Sequence, residues 1–172
     1  MSDKLDRTQW YTPLDVVEVI SRALGGIELD PCADMGRRIP AQRHYTPVED
    51  GLTTPWHVAP GTPARTVFAN PPYTQPHLSK WVDRFRQEYE RGSFQRGILL
   101  VPSSTDTRWF KDLWIWPDAL VFWYGRIQFE PGEGIPASSN TRGSVLVYAG
   151  PDPGGLYPYL SASGHVHLVK NY

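Results

Sequence analysis

Two hydrophobic rhythms alternate along the chain. Leu14, Val17, Ile20 and Leu24 recur at helical spacing, and Val16, Val19 and Ala23 widen the same stripe. Thr12-Pro13-Leu14-Asp15 precedes it, which predicts Thr12 as N-cap, Pro13 at the first helical position and Asp15 closing a capping box. Gly25-Gly26 predicts the stop. Ile27-Glu28-Leu29-Asp30 reads as a short strand ending in an acid, broken by Pro31. Residues 32–65 are irregular, with one short strand expected near His44-Tyr45-Thr46. Thr66-Val67-Phe68-Ala69 is the next strand. Leu78, Trp81, Val82, Phe85 and Tyr89 return to the helical period, and Gly92 ends that helix. Ile98-Leu99-Leu100-Val101 is an unbroken apolar run of the kind a buried parallel strand carries. A short helix is expected over Thr107 to Ile115, then strands over Ala119–Trp123, Arg126–Phe129 and Ser144–Ala149, and an edge strand over His165–Val169. The segment Glu130 to Arg142 is a long Gly/Pro/Ser-rich loop.

This order predicts an α/β fold with a mostly parallel sheet flanked by helices. It contains no internal repeat and no linker. Residues 1–172 read as a single domain, with residues 1–7 a frayed tail and no separate target-recognition domain. In open parallel sheets ligands bind beyond the carboxyl ends of the strands. Asp30 and Asn70 both fall at such ends, so one cleft can hold both.

Composition changes this picture little. The 172 residues suit one domain with a real core, and 17 basic against 18 acidic side chains leave a net charge of −1. Global charge therefore neither demands nor excludes a nucleic-acid partner, because basic residues can gather on one face. Cys32 is the single cysteine, so no intramolecular disulfide can form. The charged start Met1-Ser2-Asp3-Lys4-Leu5-Asp6-Arg7 is no signal peptide, and no apolar run reaches membrane-spanning length. The expectation is a cytoplasmic protein without a membrane partner.

The stretch with the sharpest chemistry is Asn70-Pro71-Pro72-Tyr73, directly after a strand. Such a turn suits alkylation of a planar amino nitrogen, whose lone pair is delocalised into its ring or carbonyl. The Asn70 side-chain carbonyl and the Pro71 backbone carbonyl can accept its two N–H bonds and localise the lone pair. Two prolines in a row stiffen the loop and donate no N–H of their own. Tyr73 offers a flat face for a planar substrate. Taken alone, the tetrapeptide also fits a Pro-Pro turn over a buried tyrosine.

The other constellations are weaker. Asp30-Pro31-Cys32-Ala33-Asp34 follows the first predicted strand and can present a carboxylate and backbone N–H groups to a small polar molecule, or simply cap its loop. It has no G-x-G-x-x-G pattern, so a dinucleotide fingerprint is unsupported. Trp10-Tyr11-Thr12-Pro13 leads into a helix N-terminus, which can hold a carboxylate beside the cleft. Asp50 can accept from an adenine amino group or a ribose hydroxyl, or close an ordinary turn. Phe129, behind Arg126, can wall a base pocket or sit in the core. Arg37, Arg38 and Arg43 lie in an acid-free stretch that can meet phosphates or solvent. His44, His57 and His77 lack ligand spacing, His165 and His167 read as one strand face, and no metal site is expected. Cys32 reads as a packed residue rather than a nucleophile.

The ordered set resembles the small phage and prophage DNA N6-adenine methyltransferases of the Dam type. It comprises Trp10-Tyr11-Thr12-Pro13, Leu29-Asp30-Pro31, Tyr45-Thr46, Asp50-Gly51-Leu52 with Trp56, and Asn70-Pro71-Pro72-Tyr73. Leu100-Val101-Pro102, Thr105-Asp106-Thr107, Trp109-Phe110, Gly125-Arg126-Ile127 with Phe129, and Gly143-Ser144 complete it. The resemblance runs over about residues 10 to 149. It implies a Rossmann-like class I methyltransferase fold, S-adenosylmethionine as methyl donor and DNA as partner. Tyr11-Thr12-Pro13 would match the motif holding the methionine end, Asp30-Pro31 the strand-one cofactor motif, and Asp50 an adenosine contact. Asn70, Pro71, Pro72 and Tyr73 would be the catalytic turn. The residues themselves, apart from the resemblance, make Phe129, Arg126, Arg37, Arg38 and Arg43 the candidates to face the substrate. Direct displacement on a flipped-out adenine is the implied mechanism. RNA and protein-glutamine N-methyltransferases share the nitrogen problem, and a silent nucleic-acid-binding relative would share the fold. These alternatives remain open at the level of sequence.

Overall fold

The computed structural model describes residues 10–74, 76–132 and 140–170. The expected tail over residues 1–7 and residues 133–139 of the long loop lie outside them. In chain order the elements are β1 (Trp10–Tyr11), α1 (Leu14–Leu24), β2 (Ile27–Asp30), β3 (Ala41–His44), β4 (His57–Ala59), β5 (Thr62–Ala69), α2 (His77–Glu90) and β6 (Phe94–Pro102). A 3₁₀ turn over Lys111–Trp114 leads to β7 (Ala119–Trp123), β8 (Glu130–Pro131) and β9 (Ser144–Ala149). A second 3₁₀ turn, Pro153–Leu156, then precedes α3 (Tyr157–Leu160) and β10 (Gly164–Leu168).

The central sheet runs β10-β7-β9-β6-β5-β2-β3, with β4 paired to β5, and β1 and β8 form a separate two-stranded ribbon. This corrects the expectation of a mostly parallel sheet. Only the β2–β3, β2–β5 and β5–β6 pairs are parallel, and the other five pairings among the described residues are antiparallel. The cause is local. β9 inserts between β6 and β7 and runs against both, and β10 runs against β7. Strands β3, β2, β5, β6 and β7 therefore still point the same way, so their carboxyl ends lie along one edge.

Side-chain alternation builds a core on each sheet face. Val67, Ala69, Leu99, Val101, Val145 and Val147 pack with Leu78, Trp81, Val82 and Phe85 of α2. Phe68, Ile98, Leu100, Leu146 and Tyr148 face the other way, against Val16, Val17, Ile20 and Leu24 of α1 and Leu160 of α3. Apart from exposed Leu14, and with Val19 and Tyr89 only half-buried, the helical stripes expected for α1 and α2 are the buried faces of helices on opposite sides of the sheet.

Three local expectations fail for physical reasons. Thr12 does not cap α1: Pro13 is the N-cap residue, no side chain caps that end, and Thr12 is spent elsewhere. Gly25, at φ 78°, does close the helix in the left-handed conformation only glycine adopts freely. Residues 126–129 form no strand, since no neighbour pairs with them and only Glu130–Pro131 join β1. The expected helix over 107–115 shrinks to the 3₁₀ turn, anchored by buried Phe110 and Leu113.

Candidate active site

The carboxyl ends of β2, β5 and β6 open into a cleft of about 1080 Å³. Asp30 ends β2, Asn70 follows β5 and Pro102 ends β6, and all three line it. The adjacency of β2, β5 and β6 in the sheet brings together residues up to 72 positions apart in the chain (30 to 102). Trp10, Tyr11 and Thr12 enter the same cleft from the segment ahead of α1, and Pro71, Pro72, Tyr73 and Phe129 line it as well.

Asn70 is the best-defined polar group. Its Nδ2 donates to Thr12 Oγ1 at 3.0 Å and to the Trp10 backbone carbonyl at 3.4 Å. A backbone carbonyl only accepts, so the amino end of the amide must face Trp10, which settles which end is which. Oδ1 therefore stands at the other end as an acceptor. Thr12 is 6% exposed, so this support is protected from water. The residues expected to cap a helix and to act in the turn are one hydrogen-bonded unit.

Asp30 is 3% exposed and accepts the Cys32 N–H at 3.0 Å. Burial pushes its carboxyl up to about 7, against the lowering effect of the Cys32 hydrogen bond and with a further push from Asp34. A carboxylate that burial makes reluctant to ionise gains from a cationic or N–H/O–H partner. Cys32 also lines the cleft, and burial, Asp30 and Asp50 all raise its thiol further above the physiological range. That fits a packed thiol and not a nucleophile.

Tyr73 and Phe129 meet, but at a right angle: their centroids are 5.9 Å apart with planes at 88°. They form one aromatic corner rather than two parallel walls. The Tyr73 hydroxyl is buried without a hydrogen-bond partner among the described residues, and burial raises its pKa.

Several predicted residues lie elsewhere. Pro13 and Pro31 flank the cleft without lining it. Asp50 is exposed, and its carboxylate accepts the Leu52 N–H at 3.1 Å and the Thr53 hydroxyl at 3.1 Å, closing its own turn. The adjacent motif residues are architectural. A side chain at Gly51 would collide with the Pro31 carbonyl, and buried Trp56 donates to the Gly51 carbonyl at 2.8 Å. The three arginines separate. Arg38 lines the cleft, stacks 3.7 Å over the Tyr11 ring and sits 3.7 Å from Glu130. Arg37 is exposed outside it, and Arg43 turns away to Tyr45 and the Val58 carbonyl. Arg126 also lies outside and donates to the Thr141 carbonyl, tethering a segment whose Asn140, Thr141 and Arg142 do line the cleft.

Sequence reasoning assigned no role to Pro102, Ser104, Thr107, Trp109 or residues 140–142, which form much of the wall. Several belonged to the ordered motif set, and the end of an apolar strand was the available signal. Among the described residues no group of three His, Cys, Asp or Glu side chains could hold a metal ion, and no helix is long and apolar enough to cross a membrane.

The family model described as DNA N-6-adenine-methyltransferase (Dam) matches residues 2–162. The chain belongs to this family. It is thus an adenine-specific DNA methyltransferase, and DNA is its substrate class. No individual curated protein matches the chain. The match spans every element that lines the cleft, from Trp10 to Arg142.

Proposed function

We propose that the cleft binds S-adenosylmethionine beside a flipped-out adenine and that Asn70 and Pro71 activate the N6 amino group for direct methyl transfer. The observation that carries this reading is the fixed Asn70 amide, with its N–H groups spent on Thr12 and Trp10 and its carbonyl left to accept. The Asn70 Oδ1 and the Pro71 carbonyl each take one N6–H bond. This draws the nitrogen lone pair out of conjugation with the ring and aims it. The same carbonyls stabilise the positive charge that N6 gains as its bond to the methyl carbon forms. The proton then leaves N6 to water. Tyr73 supplies the face for the base, and Phe129 braces Tyr73 edge-on.

The residues fit the donor. Asp30 is a buried acceptor that favours a partner bearing N–H or O–H groups, and the apolar walls suit a flat heterocycle. When bound, S-adenosylmethionine would supply the electrophilic methyl, its carbon–sulfur bond breaking with the electron pair left on sulfur as the N6–carbon bond forms. Thr12 and Tyr11 are assigned to its amino-acid end and Asp30 to its polar groups. The cleft volume, about 1080 Å³, exceeds the roughly 300–1,000 Å³ typical of one small-ligand site, which suits two occupants. Five strands of one direction, one reversed strand inserted among them, and α1 and α2 on opposite faces support a Rossmann-like methyltransferase fold.

The deciding experiment offers labelled donor with DNA, RNA or a glutamine-bearing protein. Label in N6-methyladenine of DNA is the expected result. Label confined to RNA or protein would overturn the reading.

A further inference from the structure

A groove of about 480 Å³ adjoins the cleft and shares Thr107 and Trp109 with it as a common wall. Its opposite side is α2. There the Arg86 guanidinium lies 6.0 Å from the ring centroid of Trp116, which is 8% exposed. Arg86 donates to Glu90 at 2.8 Å, and Asp112 and Asp83 also act on its charge. Both acids line the groove with exposed carboxylates, and exposed Arg108 stands on the shared-wall segment. None of these charged residues lines the cleft itself.

We propose that this groove holds the nucleobase next to the target adenine and that Asp83 and Asp112 select a neighbour carrying an amino group. The inference rests on the methyltransferase reading of the cleft. Four features favour this occupant. The shared wall puts the groove beside any base held in the cleft, so a neighbouring nucleotide meets it first. Half-buried Trp109 offers aromatic surface, and a base has a π-face whatever its identity. Arg86 and Arg108 line the groove beside the two carboxylates, so the arginines can meet phosphate while Asp83 and Asp112 meet the base edge. Carboxylates accept from the exocyclic amino group of cytosine or adenine, and thymine has none to give.

The probes are short thymine-rich single strands with one adenine, carrying thymine, cytosine or an abasic residue at either neighbouring position. Equilibrium binding is read by fluorescence anisotropy and single-turnover methylation by labelled donor. On one side of the adenine, cytosine should bind about tenfold more tightly than thymine, and the abasic strand should bind most weakly. Asp83→Ala and Asp112→Ala should lose the cytosine preference while keeping the parent's melting temperature and its affinity for the thymine strand. Equal affinity for all three neighbours on both sides would overturn the proposal, as would a cytosine preference that survives both substitutions. Methylation without neighbour preference would sink the groove alone. Neighbour preference without methylation would sink the reading of the cleft, and with it the groove's place beside a target adenine, and leave only a base-selective groove.

Discussion

Asn70 and Asp50 each sit in a short polar turn that sequence marks as chemical, and the structure treats them in opposite ways. Asn70 lines the cleft and spends its N–H groups on residues 58 and 60 positions away. Asp50 spends both oxygens on residues two and three positions away, outside the cleft. A polar side chain with local partners is closing its own turn. One held by distant elements is being oriented by the fold. The comparison separates these two turns: Thr12 and Asn70 are held by distant elements, and Asp50 is not.

The largest effect is expected at Asn70. Asn70→Ala should slow single-turnover methylation of adenine DNA by roughly 100- to 1,000-fold, the scale for losing one preorganised polar contact to transition-state charge. Donor affinity by calorimetry should change little. A variant that methylates at the parent rate would place Asn70 with Asp50.

Tyr73 comes next. Tyr73→Ala should lose roughly 10- to 100-fold in rate, because base–aromatic stacking is worth about 1–3 kcal/mol. Tyr73→Phe should keep most of the activity. It should also melt no lower than the parent, since it removes a buried hydroxyl that has no partner among the described residues. Equal losses in the two variants would show that the hydroxyl matters and the face does not.

Asp30 separates a held acid from a solvated one by pH. Its carboxyl lies at about 7 in the folded chain against an ordinary value of 3.8. Between those values the folded state binds more protons than the unfolded state, so this group's contribution to stability falls as pH rises from 4 towards and past 7. Asp30→Asn should therefore raise the melting temperature relative to the parent at pH 8, with the gain vanishing near pH 4. Donor affinity of the parent should rise through pH 7 as the carboxylate forms, and that rise should be absent in Asp30→Asn. A flat stability difference across this range would remove Asp30 from the buried set.

Asp50→Ala carries the smallest expected effect on chemistry. It breaks two turn hydrogen bonds at a residue with φ 53°, so stability should fall by about 1–2 kcal/mol in denaturant titrations. The methylation rate should stay within about threefold of the parent. A hundredfold fall in donor affinity would return Asp50 to the site.

Much of this was legible because periodicity reports burial. The stripes of α1 and α2 and the runs of β2, β7 and β9 appear at or close to the expected positions. Strand direction was not legible: Ser144–Ala149 alternates the same way whichever way it runs, and only pairing with β6 and β7 fixes it as reversed. Arg126–Phe129 shows the converse, a strand-like alternation that finds no partner strand. At the site, the Asn70 turn could be read because its chemistry is local. The Thr12 support could not, because a threonine before a helix has a nearer and commoner use as a cap. The arginines parted for a similar reason: sequence proximity says nothing about which way Arg38 and Arg43 turn.

The most direct test of the central claim is a double-substitution cycle on Thr12 and Asn70, read by single-turnover methylation of adenine DNA. If Thr12 acts by orienting the Asn70 amide, then with donor saturating, so that any loss of donor affinity does not enter, Thr12→Val should slow the parent about tenfold and add nothing further in the Asn70→Ala background. If the two losses simply multiply, Thr12 acts independently of Asn70, and the account of a fold-oriented amide is wrong.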